Sequence, residues 1–307
     1  QRNRFSSRMS PWCKNGSVIS SGCTSIKGRP HAEFNALNNN LSLKNTNLYV
    51  SLEPCTHYGK TPPCTDIIIK KKIKKVYYSV DDIDKRTSEL AYKKLKKKKI
   101  HVKKGILNNY GQLFYKSYFL NHKKKLPMVD AKLAISKDFY TKNKISKWIT
   151  NTHSRKRVHL LRSNYDCIIS TSKSINEDDS KLDCRIEGLE NKSPAIAIID
   201  RKFKIRKNLS LFNINNSRKI IIFTTTTNKL KELYFKRIGV RIIKINKLNN
   251  NSDLKEILIK LLQIGFTRVL LESGVKMLNL MILNKIINNL YLFQSSKRVY
   301  SNGLNFF

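Results

Sequence analysis

Leu52-Glu53-Pro54-Cys55-Thr56-His57-Tyr58-Gly59-Lys60-Thr61-Pro62-Pro63-Cys64, read with the upstream triplet His31-Ala32-Glu33, decides how this chain folds. Three side chains of metal-ligand type stand in it, with a carboxylate two residues beyond the first. A catalytic zinc takes three protein ligands in tetrahedral geometry and keeps its fourth position open. His31, Cys55 and Cys64 are the candidates for those three. Glu33 is too close to His31 to be a convenient fourth ligand, yet close enough to handle protons. Zinc lowers the pKa of a bound water towards ~7, and a carboxylate beside it can pass a proton to departing ammonia, as in zinc-dependent deaminases. The competing reading is a few buried cysteines and a capping histidine without metal. A His-x-Glu, a Pro-Cys and a second Cys at a helix start together argue against it.

The flanking residues predict the elements that carry these groups. Residues 31–37 read as a helix, 48–52 as a short buried strand, and 64–70 as a second helix entered through Thr61-Pro62-Pro63. A helix N-terminus favours thiolate over thiol, which predicts that form at Cys64. Residues 76–80 and 100–102 read as strands, 88–98 and 108–120 as helices. Residues 121–127 are polar, basic and end in proline, so the domain boundary is placed there, between domains 1–122 and 127–307. In the second half, 129–135, 167–170, 195–199, 220–223, 241–245 and 268–271 read as strands, and 152–162 and 254–262 as helices. Glu272-Ser273-Gly274 then turns into an apolar helix from Val275. Strands alternating with helices predict an α/β fold with open, mostly parallel sheets. Ligands of such sheets bind beyond the carboxyl ends of the strands, which nominates 170–179, 223–227 and 272–277. The last could hold a phosphate on free N–H groups, although alone it reads more readily as a structural turn.

At 307 residues the chain has room for two cores. No apolar leader and no run of ~18 apolar residues is present, so neither a signal peptide nor a membrane span is expected. Six cysteines, two of them assigned to metal, make no disulfide framework, and a reducing cytoplasm fits best. The net charge of +40 invites a nucleic-acid reading. The basic runs 70–75 and 93–99 lack interleaved aromatic residues, however, and read as solvated helix faces. Lys, Asn and Ile are abundant together, as codon bias in an AT-rich genome produces. No nucleic-acid partner is expected; attraction of small anionic substrates is.

With both halves in view, the chain resembles the bifunctional riboflavin-biosynthesis deaminase/reductase family. Gly28-Arg29-Pro30-His31-Ala32-Glu33 and the run from Leu52 to Cys64 look like its deaminase signature. Eight residues separate Cys55 from Cys64, where nucleoside and nucleic-acid deaminases usually have two. In the second half, Lys132-Leu133-Ala134-Ile135-Ser136-Lys137-Asp138, Ser146-Lys147-Trp148-Ile149-Thr150, His159-Leu160-Leu161-Arg162 and Glu272-Ser273-Gly274 are similar to the family's reductase domain. The resemblance implies a cytidine-deaminase-like domain followed by a dihydrofolate-reductase-like one, with Zn2+ and NADPH as cofactors, a small phosphorylated pyrimidine as substrate, and a homo-oligomer. It implies that Glu33 is catalytic and that His57 and Lys60 meet the deaminase substrate. Ala134, Trp148, Ser174, Asp178, Gly274, Val275, Lys276 and Met277 would contact NADPH. Ser146, Arg162, Leu182, Arg185 and Glu272 would contact the reductase substrate. Lys132 is a candidate for proton transfer or a structural lysine.

The chain departs from the family pattern in several places. Residues 1–12 lack the expected helix and Pro-Asn-Pro segment, and residue 307 precedes the family's last strands, so shortening at both ends is expected. The Ser-x-Asp-Gly turn stands as Ser136-Lys137-Asp138-Phe139, and Asn-Asp-Pro as Asp178-Asp179-Ser180. Arg201 replaces a small hydroxyl residue after Asp200. Two rival readings are a nucleic-acid deaminase with a basic auxiliary domain and an inactive binding protein of the same fold.

Overall fold

The computed structural model describes residues 8–12, 16–25, 28–59, 61–213, 218–246 and 251–304. The chain divides into two compact units, Gln1–Lys124 and Lys125–Phe307. In the first, the elements are β1 (Arg8–Trp12), β2 (Gly22–Cys23), α1 (Ala32–Leu37), β3 (Asn47–Leu52), α2 (Cys64–Lys70), β4 (Lys75–Val80), α3 (Leu90–Lys97), β5 (His101–Lys104), α4 (Asn108–Phe114) and α5 (Lys116–Lys124). The sheet order is β2-β1-β3-β4-β5. β1 runs antiparallel to its neighbours, whereas β3, β4 and β5 are parallel.

Alternation builds this sheet. Leu48 and Val50 of β3, and Val76, Tyr78 and Val80 of β4, are buried, as a period of two requires. Tyr49 and Tyr77 pair in register and stack at 4.6 Å. Ala36 and Leu37 of α1, Ile68 of α2 and Leu95 of α3 close the same core. β2 approaches α1 so closely that a Cβ on Gly22 would stand 2.5 Å from the Ala32 carbonyl oxygen. Only glycine fits there, and the close approach fixes the start of α1 beside His31.

The helix expected over 108–120 is two helices turning at Tyr115. The turn buries that ring and brings its hydroxyl 2.7 Å from Ser51 Oγ. α5 then continues to Lys124, past the expected start of the linker. His122, Lys123 and Lys124 complement its carboxyl-terminal dipole.

The second unit comprises β6 (Met128–Ile135), β7 (Lys142–Asn143), α6 (Thr152–Arg162), β8 (Cys167–Thr171), α7 (Ser172–Asp178), β9 (Ala195–Ile199), β10 (Ile220–Thr224), α8 (Lys229–Arg237), β11 (Arg241–Lys244), α9 (Asn251–Gln263), β12 (Arg268–Leu271), α10 (Val275–Leu283), β13 (Asn289–Gln294) and β14 (Gly303–Leu304). Seven strands form one parallel sheet, β11-β10-β9-β8-β12-β6-β13. β9 and β10 are buried throughout, as a sheet covered on both faces demands. α9 presents Leu254, Ile257, Leu258 and Leu261 to one face, the i, i+3, i+4, i+7 stripe of an amphipathic helix. Phe203, Ile205 and Phe235 cover the other. α7 and α8 were not legible as helices because each buries a single residue, Ile175 and Phe235 respectively, which leaves no periodicity. Among the described residues no helix is long and apolar enough to cross a membrane.

The buried carboxylate of Asp130, on β6, anchors the β13 side of this sheet. It accepts hydrogen bonds from the Tyr165 hydroxyl at 2.6 Å and from Asn289 Nδ2 at 2.7 Å. Tyr165→Phe removes one donor to a buried charge, and we expect it to destabilise the second unit by about 1.5–3 kcal/mol. Urea unfolding checks this; a loss below about 0.5 kcal/mol would show the bond to be dispensable.

Candidate metal centre and reductase crevice

Three chain segments deliver the candidate ligands. His31 precedes α1, Cys55 follows the end of β3 through Glu53-Pro54, and Cys64 opens α2. His31 Nδ1 lies 3.5 Å from Cys55 Sγ and 3.4 Å from Cys64 Sγ. The three ligand atoms all lie within 4.8 Å of one another. With Zn–N of about 2.0–2.1 Å and Zn–S of about 2.3 Å, a tetrahedral ion separates nitrogen and sulfur ligands by about 3.5 Å. The donors therefore fit zinc in kind and in spacing.

The two sulfurs are linked through one hydrogen bond. Cys55 Sγ accepts from the Cys64 thiol and from the Cys64 backbone N–H, the latter at 3.3 Å. The thiol's bond, foremost, holds Cys55 well below the usual thiol range, while that same bond and burial push Cys64 up. In the first turn of α1, two residues beyond His31, burial raises the Glu33 carboxyl to about 7, with the nearby His31 charge offsetting part of the effect. Such a carboxyl exchanges its proton near neutral pH.

The loop between the cysteines is held from outside. Arg29 Nη1 donates to Thr61 Oγ1 at 2.9 Å and lies 3.4 Å from His31 Nδ1. His57 Nδ1 stands 3.1 Å from Thr87 Oγ1, and Thr56 Oγ1 donates to the Arg86 carbonyl. Glu53, buried, accepts from the backbone N–H groups of Asp82, Glu89 and Ala91, fixing the segment that carries Thr87. Arg29 and Glu53 sit inside the motifs read from the sequence, yet only the fold reveals what they hold. Lys60 lies outside the described residues.

In the second unit the carboxyl ends of β6, β8 and β12 adjoin. Ser174 and Gly274 meet there: the Gly274 N–H donates to Ser174 Oγ at 3.2 Å. A Cβ on Gly274 would find that oxygen at 3.8 Å and no closer atom, so the space above it is open. No side chain caps α10, whose start offers backbone donors to an anion. Val275 is buried and Met277 packs against the core, so of 275–277 only Lys276 extends an exposed side chain. These features suit a dinucleotide phosphate.

Ser146 and Trp148 share one turn, with Trp148 N donating to Ser146 Oγ at 3.3 Å. The exposed Trp148 ring has Arg155 4.8 Å from its centroid. Lys147 Nζ donates to the Asp178 carbonyl at 3.4 Å, drawing that turn towards α7. Ala134 is half-buried near the end of β6.

Arg162 and Glu272, both expected to meet substrate, meet each other. Arg162 Nε and Nη2 donate to the two Glu272 oxygens at 2.7 and 2.9 Å, in a buried fork. Burial pushes Glu272 up, but the guanidinium more than offsets it and leaves the carboxyl below its usual range. The third Arg162 bond goes to the Asp183 carbonyl, so this guanidinium is spent on protein. Leu182 is buried in the core with φ +50°, so a ligand could reach it only through its main chain. Arg185 is exposed, 3.2 Å from Asp183. In the stretch 223–227 the Thr224, Thr225 and Thr226 hydroxyls all donate to the Arg201 carbonyl.

Comparison with known proteins agrees with both halves. The RibD C-terminal domain matches residues 127–299, and the cytidine and deoxycytidylate deaminase zinc-binding region matches residues 12–80. The chain is 30% identical to riboflavin biosynthesis protein RibD of Aquifex aeolicus, covering 95% of this chain and 81% of that one. It is 29% identical to RibD of Chlamydia muridarum, over 90% and 77%. A crystal structure of a diaminohydroxyphosphoribosylaminopyrimidine deaminase/5-amino-6-(5-phosphoribosylamino)uracil reductase from Thermotoga maritima superposes with a TM-score of 0.84 at 26% identity, over 99% of this chain and 83% of that one. The folds are thus cytidine-deaminase-like and dihydrofolate-reductase-like, and the cofactors are zinc and NADPH. The chain belongs to the RibD family of bifunctional riboflavin-biosynthesis enzymes, which deaminate a small pyrimidine and reduce its side chain.

Proposed function

We propose that the first unit removes an amino group from a phosphoribosylated diaminopyrimidine and that the second reduces the ribosyl group of the product to ribityl. The observation that carries the reading is the His31, Cys55, Cys64 cluster, with a buried Glu33 one helical step away. His31 Nδ1 and the two cysteine sulfurs would hold zinc, which supplies activation of water near neutral pH. Glu33 takes up the proton released there and hands it to the departing amino group. His57, braced by Thr87, and Lys60 would contact the substrate from the long loop. A reducing compartment such as the cytoplasm suits two cysteine ligands.

In the second unit, NADPH would supply hydride, while Ser174, Gly274 and the start of α10 orient it beside Ala134, Trp148 and Asp178. Arg185 suits the substrate phosphate, since its fork reaches solvent. Ser146 and the Glu272–Arg162 pair would line the substrate side, Arg162 acting by holding Glu272 ionised. Lys132 is half-buried, and burial pulls its ammonium below the ordinary lysine range despite Glu272 nearby. That makes it a candidate to donate the proton that follows the hydride.

Mass spectrometry of the pyrimidine with and without NADPH tests the whole reading. Loss of ammonia reports the first site, and gain of two hydrogens the second. Glu33→Gln should retain zinc yet slow ammonia loss by at least ~10²-fold; near-normal loss would assign the proton to another group. Cys55→Ala and Cys64→Ala should each lose stoichiometric zinc in elemental analysis, because two protein ligands remain. Full metal content in both would remove these sulfurs from the site. Gly274→Val should leave the melting temperature unchanged, since its Cβ meets no protein atom within 3.8 Å, and should weaken NADPH by about ten-fold or more in a fluorescence titration. Unaltered NADPH affinity would show that the cofactor does not approach this turn.

A further inference from the structure

The segment from Ser180 to Arg185 lies outside every helix and strand, and five of its main-chain groups bond side chains from elsewhere in the unit. The Lys181 and Leu182 carbonyls accept from Arg218 Nη1 and Nη2 at 3.0 and 2.9 Å. The Asp183 carbonyl accepts from Arg162 Nη1 at 2.9 Å. The Cys184 N–H donates to Ser193 Oγ at 2.9 Å, and the Arg185 N–H to His159 Nδ1 at 3.2 Å.

Arg218 is the unusual member. Its Nε donates to the Pro194 carbonyl at 3.0 Å, so all three of its bonds go to carbonyl oxygens and none to a carboxylate. A half-buried guanidinium without a bonded anion carries a desolvation cost. Burial accordingly pulls its pKa down to about 10, the charge of Asp183 compensating in part. What the charge secures is the conformation of Leu182, a branched residue at φ +50°, where an L side chain is strained. Nη2 bonds the carbonyl of that residue, while Nε ties the same fork to the start of β9 at Pro194.

We infer that Arg218 is a positioning residue of the reductase: by bridging the Lys181, Leu182 and Pro194 carbonyls it holds the 180–185 loop so that the main chain at Leu182 and the Arg185 side chain meet the phosphorylated substrate, which Arg218 itself does not touch. The inference rests on the substrate side assigned under the proposed function. It specifies the consequence: Arg218 governs substrate capture and leaves hydride transfer and NADPH binding alone.

The full chain is assayed as wild type, Arg218→Ala and Arg218→Lys, with 5-amino-6-(5-phosphoribosylamino)uracil and NADPH. Lysine keeps the charge but cannot span three carbonyls, so it serves where alanine fails to fold. We expect KM for the pyrimidine to rise about ten-fold or more in both variants, the scale of a lost bond to a charged group, with kcat within about two-fold and NADPH titration unchanged. Amide exchange at Cys184 and Arg185 should rise at least about ten-fold while β8 and β9 keep their protection. Unchanged exchange in the loop overturns the inference. So does a parallel fall in kcat, NADPH affinity and β8–β9 protection, which would mark Arg218 as a general support of the fold. If wild type does not reduce this pyrimidine, the functional assignment fails, and the exchange measurement still decides whether Arg218 holds the loop.

Discussion

One imidazole nitrogen and two sulfurs gathered within 4.8 Å of one another impose the strictest geometric demand in this chain. His31, Cys55 and Cys64 belong to a helix start, a strand end and a second helix start, so the first unit must bring three elements to within a few ångströms. The core does this with ordinary packing: Ala36 and Leu37, Leu48 and Ile68 lock α1, β3 and α2 into one cluster. Gly22 removes the side chain that would push α1 away. Burying sulfur next to a carboxyl group then requires donors, and the Cys64 N–H, aimed at Cys55 Sγ, is one. The eight-residue excursion between the cysteines is stiffened in turn by Arg29 and by the 81–89 segment that Glu53 secures.

The second unit meets its demand without metal ligands. Its loops leave the carboxyl ends of parallel strands, where main-chain groups have no ladder to join. Charged side chains take the place of the ladder. Asp200 accepts from Ser172 Oγ and the N–H groups of Lys204 and Ile205, and Asp138 from the N–H groups of Val299 and Tyr300. Arg162 and Arg218 do the converse for carbonyls. A crevice made this way is rigid at its rim, as positioning two substrates for hydride transfer requires.

Contiguous motifs made the first site legible: ligand type, spacing and helix starts are all local properties of the sequence. The parallel strands were legible for the same reason, as short apolar runs between turns. Partners distant in sequence were not. Nothing in the letters pairs His57 with Thr87, or Arg162 with Glu272, across 110 positions. The departures from the family pattern acquire a physical account only in three dimensions. Phe139 occupies φ +68°, a region that favours glycine, and the Asp138 bonds to Val299 and Tyr300 hold that turn. Asp179, at φ +44°, is tied by its carboxylate to the Ser210 N–H and hydroxyl. At Phe139 side-chain hydrogen bonds hold a conformation that glycine would adopt freely, and at Asp179, where the family pattern also has aspartate, they hold the turn next to the altered Asp178 and Ser180.

The net charge of +40 places this chain's cations in two distinct economies. Inside the second unit, arginine works as a scaffold: Arg162 and Arg218 direct their donors at a carboxylate and at main-chain carbonyls, and neither has a fork left for a phosphate. Outside, Arg185 is exposed and pairs with Asp183 through Nε alone, which leaves its two terminal nitrogens towards solvent. Attraction of an anionic ligand is therefore a property of the surface field, screened by salt, whereas the main-chain and carboxylate contacts of Arg162 and Arg218 are short and less exposed, and salt reaches them far less. Raising ionic strength should slow capture of the phosphorylated substrate while leaving the arrangement of the bound complex intact. The abundance of basic residues and the precision of the site are separate consequences of the same residue types, divided by burial.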